Sequence, residues 1–430
     1  MSEKQYPVRI TLMTSEKDYS VEFQTSPDRA KLWKDVLQSA HSKAVVTCLC
    51  DGPGDRRLAI RHLSSNDTFH LSRYPRTGPE HALMCLFFSP DHNKSGLGAY
   101  NTGVVEETIA GDLKIRLQLG LRKRDTKEGE EQEPEAEGKT ESKPAAKAGE
   151  SKTAMTLLGL LHLLWSEANL NTWTPAMTGK RNLGLVHHLL MNTASKVLTS
   201  RLRLAEALVV ATSNSSGKQP DANAAKVGKA IKNGRRLIVI APLAAYTPER
   251  EECSNNYLTI TGFHGVPRIM VEAEEWASVK RRFVREIAAW SRGYRVVAIV
   301  QTDKPISRSK ANALDIALMV VSNEWIPVES SYEAAIESKL RTESRRFTKP
   351  LRFDSTEEVV FPDFWLTDVN SAQEYPMEVY GRADAKYLAR KQIKSDHYTT
   401  TYGSSGWWWW DAAADPRGQS IPEFPPARVR

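Results

Sequence analysis

The sequence predicts a mixed α/β protein of the α+β multidomain type, and three observations support that fold class. Buried-strand patterns at residues 235–241 and 295–300 flank an amphipathic helical pattern at 273–290. Two further strand patterns, at 357–367 and 374–380, are joined by a turn signal and indicate a β-hairpin. The length of 430 residues is sufficient for two or three domains, each with its own core.

Three of the four cysteines of the chain lie near its N-terminus. Cys48 and Cys50 end an apolar run, while His81 and Cys85 are four residues apart, a spacing that places two side chains on one face of a helical turn. Thiolates and imidazole are the usual ligands of structural zinc, so these four residues predict a Cys₃His zinc site. The alternatives are buried free thiols, a redox pair of Cys48 and Cys50, or His70 as the histidine ligand.

Basic and aromatic side chains alternate between the two halves of this predicted zinc site. Arg73, Tyr74 and Arg76 belong to a segment that follows Arg56 and Arg57. Arginine neutralises phosphates and aromatic rings stack on unpaired bases, so Arg73, Tyr74 and Arg76 predict a nucleic-acid-binding surface with DNA as the partner. A loop of solvated arginines is the alternative interpretation.

An acidic segment separates the N-terminal region from the rest of the chain. Residues 125–150 contain nine acidic residues against four lysines and almost no side chain that could pack in a core, which predicts a disordered linker. Without this segment the formal net charge rises from +7 to +12. Basic folded parts favour an acidic partner such as DNA.

The N-terminus lacks the charged start and long apolar run of a secretory signal, and the apolar run at 154–164 is too short to span a bilayer. We therefore expect a cytoplasmic protein without a membrane segment. Free thiols and zinc ligands are typical of that reducing compartment.

The region after the linker is predicted to be helical at 153–167 and 183–208 and flexible at 214–226. The strand, helix and strand patterns of residues 235–300 then predict an α/β layer. A domain boundary is expected near 322–327.

Two carboxylates lie on the neighbouring strands of the predicted hairpin. Asp363 is part of F-P-D-F-W and Glu378 is part of E-V-Y-G. Mg²⁺ and Mn²⁺ prefer oxygen ligands, so this pair predicts a divalent-metal site. Glu333 and Glu337, one turn apart on a helix that begins near Ser330, are candidates for a further acid.

At these residues the chain resembles the PD-(D/E)XK nuclease superfamily, whose core is a helix, a β-hairpin and a second helix on a mixed sheet. Asp363 matches the P-D element, and Glu378 begins a tripeptide that stands where that family has (D/E)-X-K. The resemblance implies a restriction-endonuclease-like core and a Mg²⁺- or Mn²⁺-dependent DNA endonuclease. Tyr380 occupies the lysine position, so Lys391 or Lys394 on the following helix would have to supply the basic group. Without such a replacement, the resemblance implies a catalytically degenerate DNA-binding or scaffold protein.

The whole chain is also similar to an uncharacterised bacterial domain-of-unknown-function family with three N-terminal cysteines. The similarity comprises those cysteines, the pattern R-x-P-x-T-G and the pattern H-x₃-C that follows it. Members of that family are found on plasmids and integrative elements, which implies association with a mobile genetic element.

The C-terminal segment contains four adjacent tryptophans, Trp407, Trp408, Trp409 and Trp410. Four neighbouring indoles cannot all face inward, so we expect some to contact the rest of the chain, a protein partner or nucleic acid. The predicted domains are a zinc-containing N-terminal domain at 1–124, a disordered acidic linker at 125–153, a helical and α/β region at 154–326, a nuclease-like core at 327–400 and a Trp/Pro-rich tail at 401–430.

Overall fold

The computed structural model describes residues 5–63, 68–74, 77–82, 85–88, 100, 103–108, 112–121, 154–200, 202–351, 361–369, 375–382 and 384–428. The predicted linker at 125–153 lies outside these residues. Where the chain is described, the strands are β1 (Val8–Leu12), β2 (Ser15–Tyr19), β3 (Val45–Cys48), β4 (Arg57–Leu63), β5 (Thr68–Arg73), β6 (Val105–Glu107), β7 (Leu113–Ile115), β8 (Thr172–Trp173), β9 (Val197–Thr199), β10 (Leu202–Arg203), β11 (Leu208–Val210), β12 (Ile238–Pro242), β13 (Arg268–Met270), β14 (Arg295–Thr302), β15 (Lys310–Val321), β16 (Phe347–Thr348), β17 (Phe364–Leu366), β18 (Tyr375–Val379) and β19 (Trp408–Trp410). The α-helices of the same residues are α1 (Val21–Thr25), α2 (Ala30–Ala40), α3 (Leu157–Glu167), α4 (Leu183–Ser195), α5 (Lys218–Lys232), α6 (Pro248–Glu251), α7 (Ala273–Arg282), α8 (Val284–Ser291), α9 (Ser331–Thr342) and α10 (Ala385–Tyr402).

These strands form four sheets, in the orders β2-β1-β3-β4-β5, β10-β9-β7-β6, β11-β12-β14-β15-β13 and β19-β18-β17-β16-β8. We call them the N-terminal, small, middle and C-terminal sheets. The sheets contain both parallel and antiparallel pairs and alternate with helices along the chain, which confirms the mixed α+β class. None of the helices within the described ranges is both long and apolar enough to cross a membrane.

The N-terminal sheet is antiparallel, and α2 packs on β5. Leu37 and Ala40 are the buried residues of α2, and both belong to the core that includes Cys48. Cys48 is the last residue of β3, where it pairs with Val8 in the register of β1. The sheet therefore fixes the first predicted zinc ligand at a strand end. The predicted division at residue 124 is crossed by the small sheet, because β7 pairs with β9.

The central strands of the middle sheet are buried, since all five residues of β12 and seven of the eight residues of β14 are buried. The chain departs from the sequence prediction beside it. The helix predicted to extend to residue 208 ends at Ser195, since the following Val- and Leu-rich residues form β9, β10 and β11. Most of the stretch predicted to be flexible at 214–226 belongs to α5, which begins at Lys218 and buries Val227 and Ala230. The helix predicted at 273–290 is divided at Phe283, where φ is −117° and ψ is 43°.

The C-terminal sheet contains the predicted hairpin as the antiparallel pair of β17 and β18. β19 lies parallel to β18, with α10 as the crossover between them. One face of the sheet packs with Ile336 and Leu340 of α9 in a core that includes Trp408 and Trp410. The segment predicted as a separate tail therefore supplies an edge strand. The sheet extends beyond the predicted core at 327–400, because both β8 and β19 belong to it.

Candidate functional site

Cys48, Cys50, His81 and Cys85 converge in the interior of the N-terminal region. All four are buried, and one ligand atom of each lies within 4.8 Å of the others. The Cys48 and Cys85 Sγ atoms are 3.6 Å apart, and His81 Nδ1 is 3.6 Å from Cys50 Sγ and 3.7 Å from Cys85 Sγ. Tetrahedral zinc with bonds of about 2.0 to 2.3 Å requires ligand separations of about 3.5 to 3.8 Å. The cluster therefore has the donors and the spacing to hold a metal such as zinc.

Local backbone features bring the two pairs of ligands together. A Cβ atom on Gly52 would lie only 2.2 Å from the Glu80 carbonyl oxygen, so the loop after Cys50 approaches the segment of His81 closely because residue 52 is glycine. The amide of Ala82 donates to Cys50 Sγ at 3.3 Å. Such donors stabilise thiolates, which are the form that binds metal.

The helical turn predicted to carry His81 has a different form in the structure. A 3₁₀ helix over Gly78–Glu80 ends just before His81, which is itself extended with φ −85° and ψ 158°. Hydrogen bonding to Cys85 lowers the pKa of the Cys48 thiol. His70, the alternative ligand, lies on β5 and is not part of the cluster.

The residues predicted to bind nucleic acid are placed differently from one another. The Arg73 guanidinium is buried, with its Nε 2.8 Å from a carboxylate oxygen of Glu107, and it also faces Glu167 at 3.9 Å. The charge of Arg73 is therefore paired with acidic residues inside the protein, which contradicts its predicted role on an exposed nucleic-acid-binding surface. Tyr74 is 44% exposed, and Arg76 lies outside the described residues.

Asp363, the residue directly before β17, lies beside Glu378 of β18. Phe364 pairs with Met377, and the Asp363 carboxylate accepts a hydrogen bond from the Val379 amide at 2.7 Å. Both carboxylates are buried. The hairpin thus brings together the two acids that the sequence analysis selected.

Lys394 of α10 reaches the same position from the helix above the sheet. Its ammonium group donates to both oxygens of Glu378, at 2.8 and 3.0 Å, and to the Phe361 carbonyl at 3.0 Å. Tyr398, one turn later, donates its hydroxyl to Glu378 at 2.8 Å. Burial, and next the charge of Asp363, raise the pKa of Glu378 to about 8 in spite of these donors.

Of the two glutamates predicted as the further acid, Glu333 is the one next to the hairpin. Burial raises its pKa to about 7, and Asp363 adds to this effect, while Lys349 at 3.0 Å opposes it. Lys349 is itself fully buried. Glu337 instead accepts hydrogen bonds from Arg341 and Ser322, so the structure gives it a partner away from Asp363.

Lys391, the second candidate for the basic group, is directed elsewhere. Its ammonium group pairs with Asp411 at 2.6 Å and lies over the rings of Tyr380 and Trp409. Tyr380, which stands in the lysine position of the motif, is hydrogen-bonded to Ser395 at 3.2 Å. Trp409 is 47% exposed, whereas the other three tryptophans of the run are buried.

We call Asp363, Glu378 and Glu333, with the side chains that contact them, the acidic cluster. The sequence analysis did not identify two of its residues. Tyr398 follows Lys394 by four residues, so helical spacing alone could have identified it as a neighbour. Lys349 has no comparable signal, because its contact with Glu333 depends on how β16 packs beside α9.

The raised pKa of Glu378 predicts a pH-dependent stability for the metal-free protein. The unfolded chain loses this proton near pH 4.5 and the folded protein near pH 8, so the folded state binds more protons between these values. The free energy of unfolding should therefore fall as the pH rises through this window, by up to about 5 kcal/mol.

Urea denaturation at a series of pH values measures this loss of stability, and Glu378→Gln is expected to lose less across the same window and to keep only the part that the raised pKa of Glu333 contributes. Identical pH profiles for the two proteins would contradict the prediction.

The chain is a mixed α+β protein that carries a Cys₃His cluster able to hold a metal and a separate group of buried carboxylates paired with lysines. It belongs to the family described as Protein of unknown function (DUF1173), whose model matches residues 19–413. Neither the curated proteins nor the solved structures contain a match to the chain.

Proposed function

We propose that this protein is a metal-dependent DNA endonuclease of a bacterial mobile genetic element, acting in the cytoplasm. One observation carries the proposal: Asp363 and Glu378 are adjacent on the hairpin, and Lys394 from the next helix contacts both oxygens of Glu378. Two carboxylates can hold the metal of a phosphodiester hydrolysis, and a lysine can stabilise the charge that develops on the phosphate.

The order of elements around these residues supports a nuclease-like core. α9 precedes the antiparallel strands β16, β17 and β18, and α10 then leads to the parallel strand β19. A helix, a hairpin and a second helix on a mixed sheet form the core of the superfamily that the sequence resembles. Glu333 on α9 and Lys394 on α10 approach the hairpin from different helices.

Asp363 and Glu378 would hold Mg²⁺ or Mn²⁺, and such an ion supplies an activated water and stabilises charge on the phosphate. The chain's own contribution is orientation and charge. Tyr398 and Lys394 fix the Glu378 carboxylate through hydrogen bonds. The Lys394 ammonium group, only partly buried, is the donor that would face the scissile phosphate in place of the motif lysine.

The Cys₃His cluster is assigned a structural role with zinc. Four protein ligands complete a tetrahedron and leave no open position for a reacting water. The N-terminal sheet and its core are built around these residues.

Replacing Lys394 should reduce cleavage far more than replacing Lys391. We expect Lys394→Met to lower the rate of Mg²⁺- or Mn²⁺-dependent DNA cleavage by about 100-fold or more. Among the described residues, Lys394 is the only lysine that donates a hydrogen bond to Glu378, and the substitution removes it. Lys391→Met is the matched control on the same helix, since Lys391 pairs with Asp411. The rate of nicking of supercoiled plasmid measures both, and equal losses would reject the assignment of Lys394.

The second candidate function is a catalytically degenerate nuclease-fold protein that binds DNA or acts as a scaffold. The position of Tyr380, held by Ser395 where the motif has lysine, favours it. Calorimetric titration with Mg²⁺ and Mn²⁺ separates the two candidates. A degenerate core should bind neither ion, whereas a nuclease should bind in a manner that Asp363→Ala removes.

A further inference from the structure

One end of the middle sheet carries a group of exposed basic side chains away from the acidic cluster of the C-terminal sheet. We call it the basic surface, and it consists of Lys218, Arg268, Lys304, Arg308 and Lys310. They come from the start of α5, from β13, and from the turn that precedes β15 together with the first residue of that strand. None of the five was selected as a candidate site residue in the sequence analysis.

Backbone contacts bring these residues into one surface. Arg268 pairs with Lys310 in the register of β13 and β15, and its amide donates to the Ser309 carbonyl at 2.8 Å. The Arg308 guanidinium lies against α5, because a Cβ atom on Gly228 would be 4.0 Å from it.

The loop at 262–265 closes the surface on its other side. Thr212 and Phe263 form a bridge just ahead of α5, and the Thr212 hydroxyl donates to the side chain of Gln219, the residue after Lys218, at 2.7 Å. Gly265 lies so near α5 that a Cβ atom there would be 2.3 Å from the Pro220 carbonyl oxygen. The loop and the turn before β15 thus both contact α5.

The basic surface is not neutralised by the protein. Within the described residues, no carboxylate forms an ion pair with any of its five members, although Asp221 on α5 is also exposed nearby. Other basic residues around the same sheet do have partners: Arg282 pairs with Asp315 at 3.1 Å, and Arg236 lies 3.8 Å from Asp303. Arg268 lies over the Tyr257 ring at 4.8 Å, which leaves its charge in place. An excess of positive charge without carboxylate partners favours a polyanionic partner.

Two large apolar side chains stand exposed beside these charges. Phe263 is 60% exposed and Ile306 is 65% exposed. The Phe263 ring also packs on His264, with centroids 4.7 Å apart. Aromatic rings next to unpaired basic groups are typical of surfaces where nucleic-acid strands lay their phosphates along the charges and stack bases on the rings.

We propose that the basic surface binds the phosphate backbone of a single nucleic-acid strand, with Phe263 stacking on a base. This function is separate from the proposed cleavage at Asp363 and Glu378, and it provides a positively charged surface in a part of the chain where the sequence motifs indicated none. The buried position of Arg73 leaves that residue without such a role.

The test is binding of fluorescently labelled single-stranded DNA by the full chain, followed by anisotropy at several salt concentrations without added Mg²⁺ or Mn²⁺. The triple variant Lys304→Gln, Arg308→Gln, Lys310→Gln should lower the slope of log affinity against log salt by about 2, since each lost phosphate contact removes about 0.7 on a single strand. Phe263→Ala should weaken binding by about tenfold with little change in that slope.

The matched control replaces Arg281, Arg285 and Arg292, three exposed arginines of α7, α8 and the residue after α8, by Gln. It should keep the parent affinity and slope, and all variants should show the parent's thermal unfolding. Equal losses in the two triple variants, an unchanged slope in the first, or no binding by the parent chain would overturn the proposal. Cleavage activity plays no part in the readout, so the result is independent of the proposed nuclease function.

Discussion

Replacing Cys85 by Ser is expected to release bound zinc and to unfold the N-terminal sheet. Cys85 Sγ lies 3.6 Å from Cys48 Sγ and 3.7 Å from His81 Nδ1, so its loss removes one corner of the ligand cluster. Structural zinc contributes about 10 to 16 kcal/mol of apparent binding free energy, which is comparable to the total stability of about 5 to 15 kcal/mol of a typical domain. Elemental analysis should find one zinc atom per chain in the parent and none in the variant.

Cys253→Ser is the matched control, because Cys253 is also a buried thiol but lies outside the cluster. It should retain zinc and the parent's circular dichroism. A parent chain without zinc would reject the site and favour the alternative of buried free thiols. In that case Cys85→Ser should behave like the control.

The Cys₃His cluster and the hairpin acids could be predicted from the sequence because their chemistry is carried by residue type. Cysteines are rare in this chain, and three of the four lie in one region. Asp363 directly precedes β17 and Glu378 lies on β18, and these two strands are neighbours in sequence that pair with each other, so the proximity of the acids depends on few residues. Local patterns of this kind require no knowledge of distant packing.

The choice between paired candidates could not be made from the sequence. Lys391 and Lys394 are three residues apart on α10, but only Lys394 meets Glu378, since Asp411 from the segment after β19 engages Lys391. Glu333 and Glu337 are also distinguished by their partners, because Arg341 pairs with Glu337. Each distinction depends on a partner that the helix spacing alone does not select.

Long-range contacts also explain the two largest departures from the sequence predictions. Arg73 is buried because Glu107 and Glu167, which are distant in sequence, fold against it. The tryptophan run is an edge strand because α10 returns the chain to β18, which alternately buries Trp408 and Trp410 and exposes Trp409. Composition indicated an unusual segment in both places, while its role depended on the tertiary fold.

Asp363→Ala and Glu378→Ala should each abolish metal-dependent DNA cleavage, by about 1000-fold or more. Each carboxylate would be half of the pair that holds the metal, and a single remaining acid leaves the ion without a fixed position relative to the phosphate. Glu378→Gln provides a gentler test, because an amide can keep the hydrogen bond from Tyr398 and yet binds a divalent cation poorly. The rate of plasmid nicking with Mg²⁺ or Mn²⁺ measures all three variants.

The buried acid Glu337 provides the control for this prediction, since it belongs to the same region but pairs with Arg341. Glu337→Gln should retain cleavage at the temperature where it remains folded, whereas Glu333→Gln should lower it, because Glu333 lies within the electrostatic reach of Asp363. Retained activity in both Asp363→Ala and Glu378→Ala would exclude the hairpin as the catalytic centre. Metal binding that persists in Asp363→Ala and Glu378→Ala would exclude it as the metal site as well.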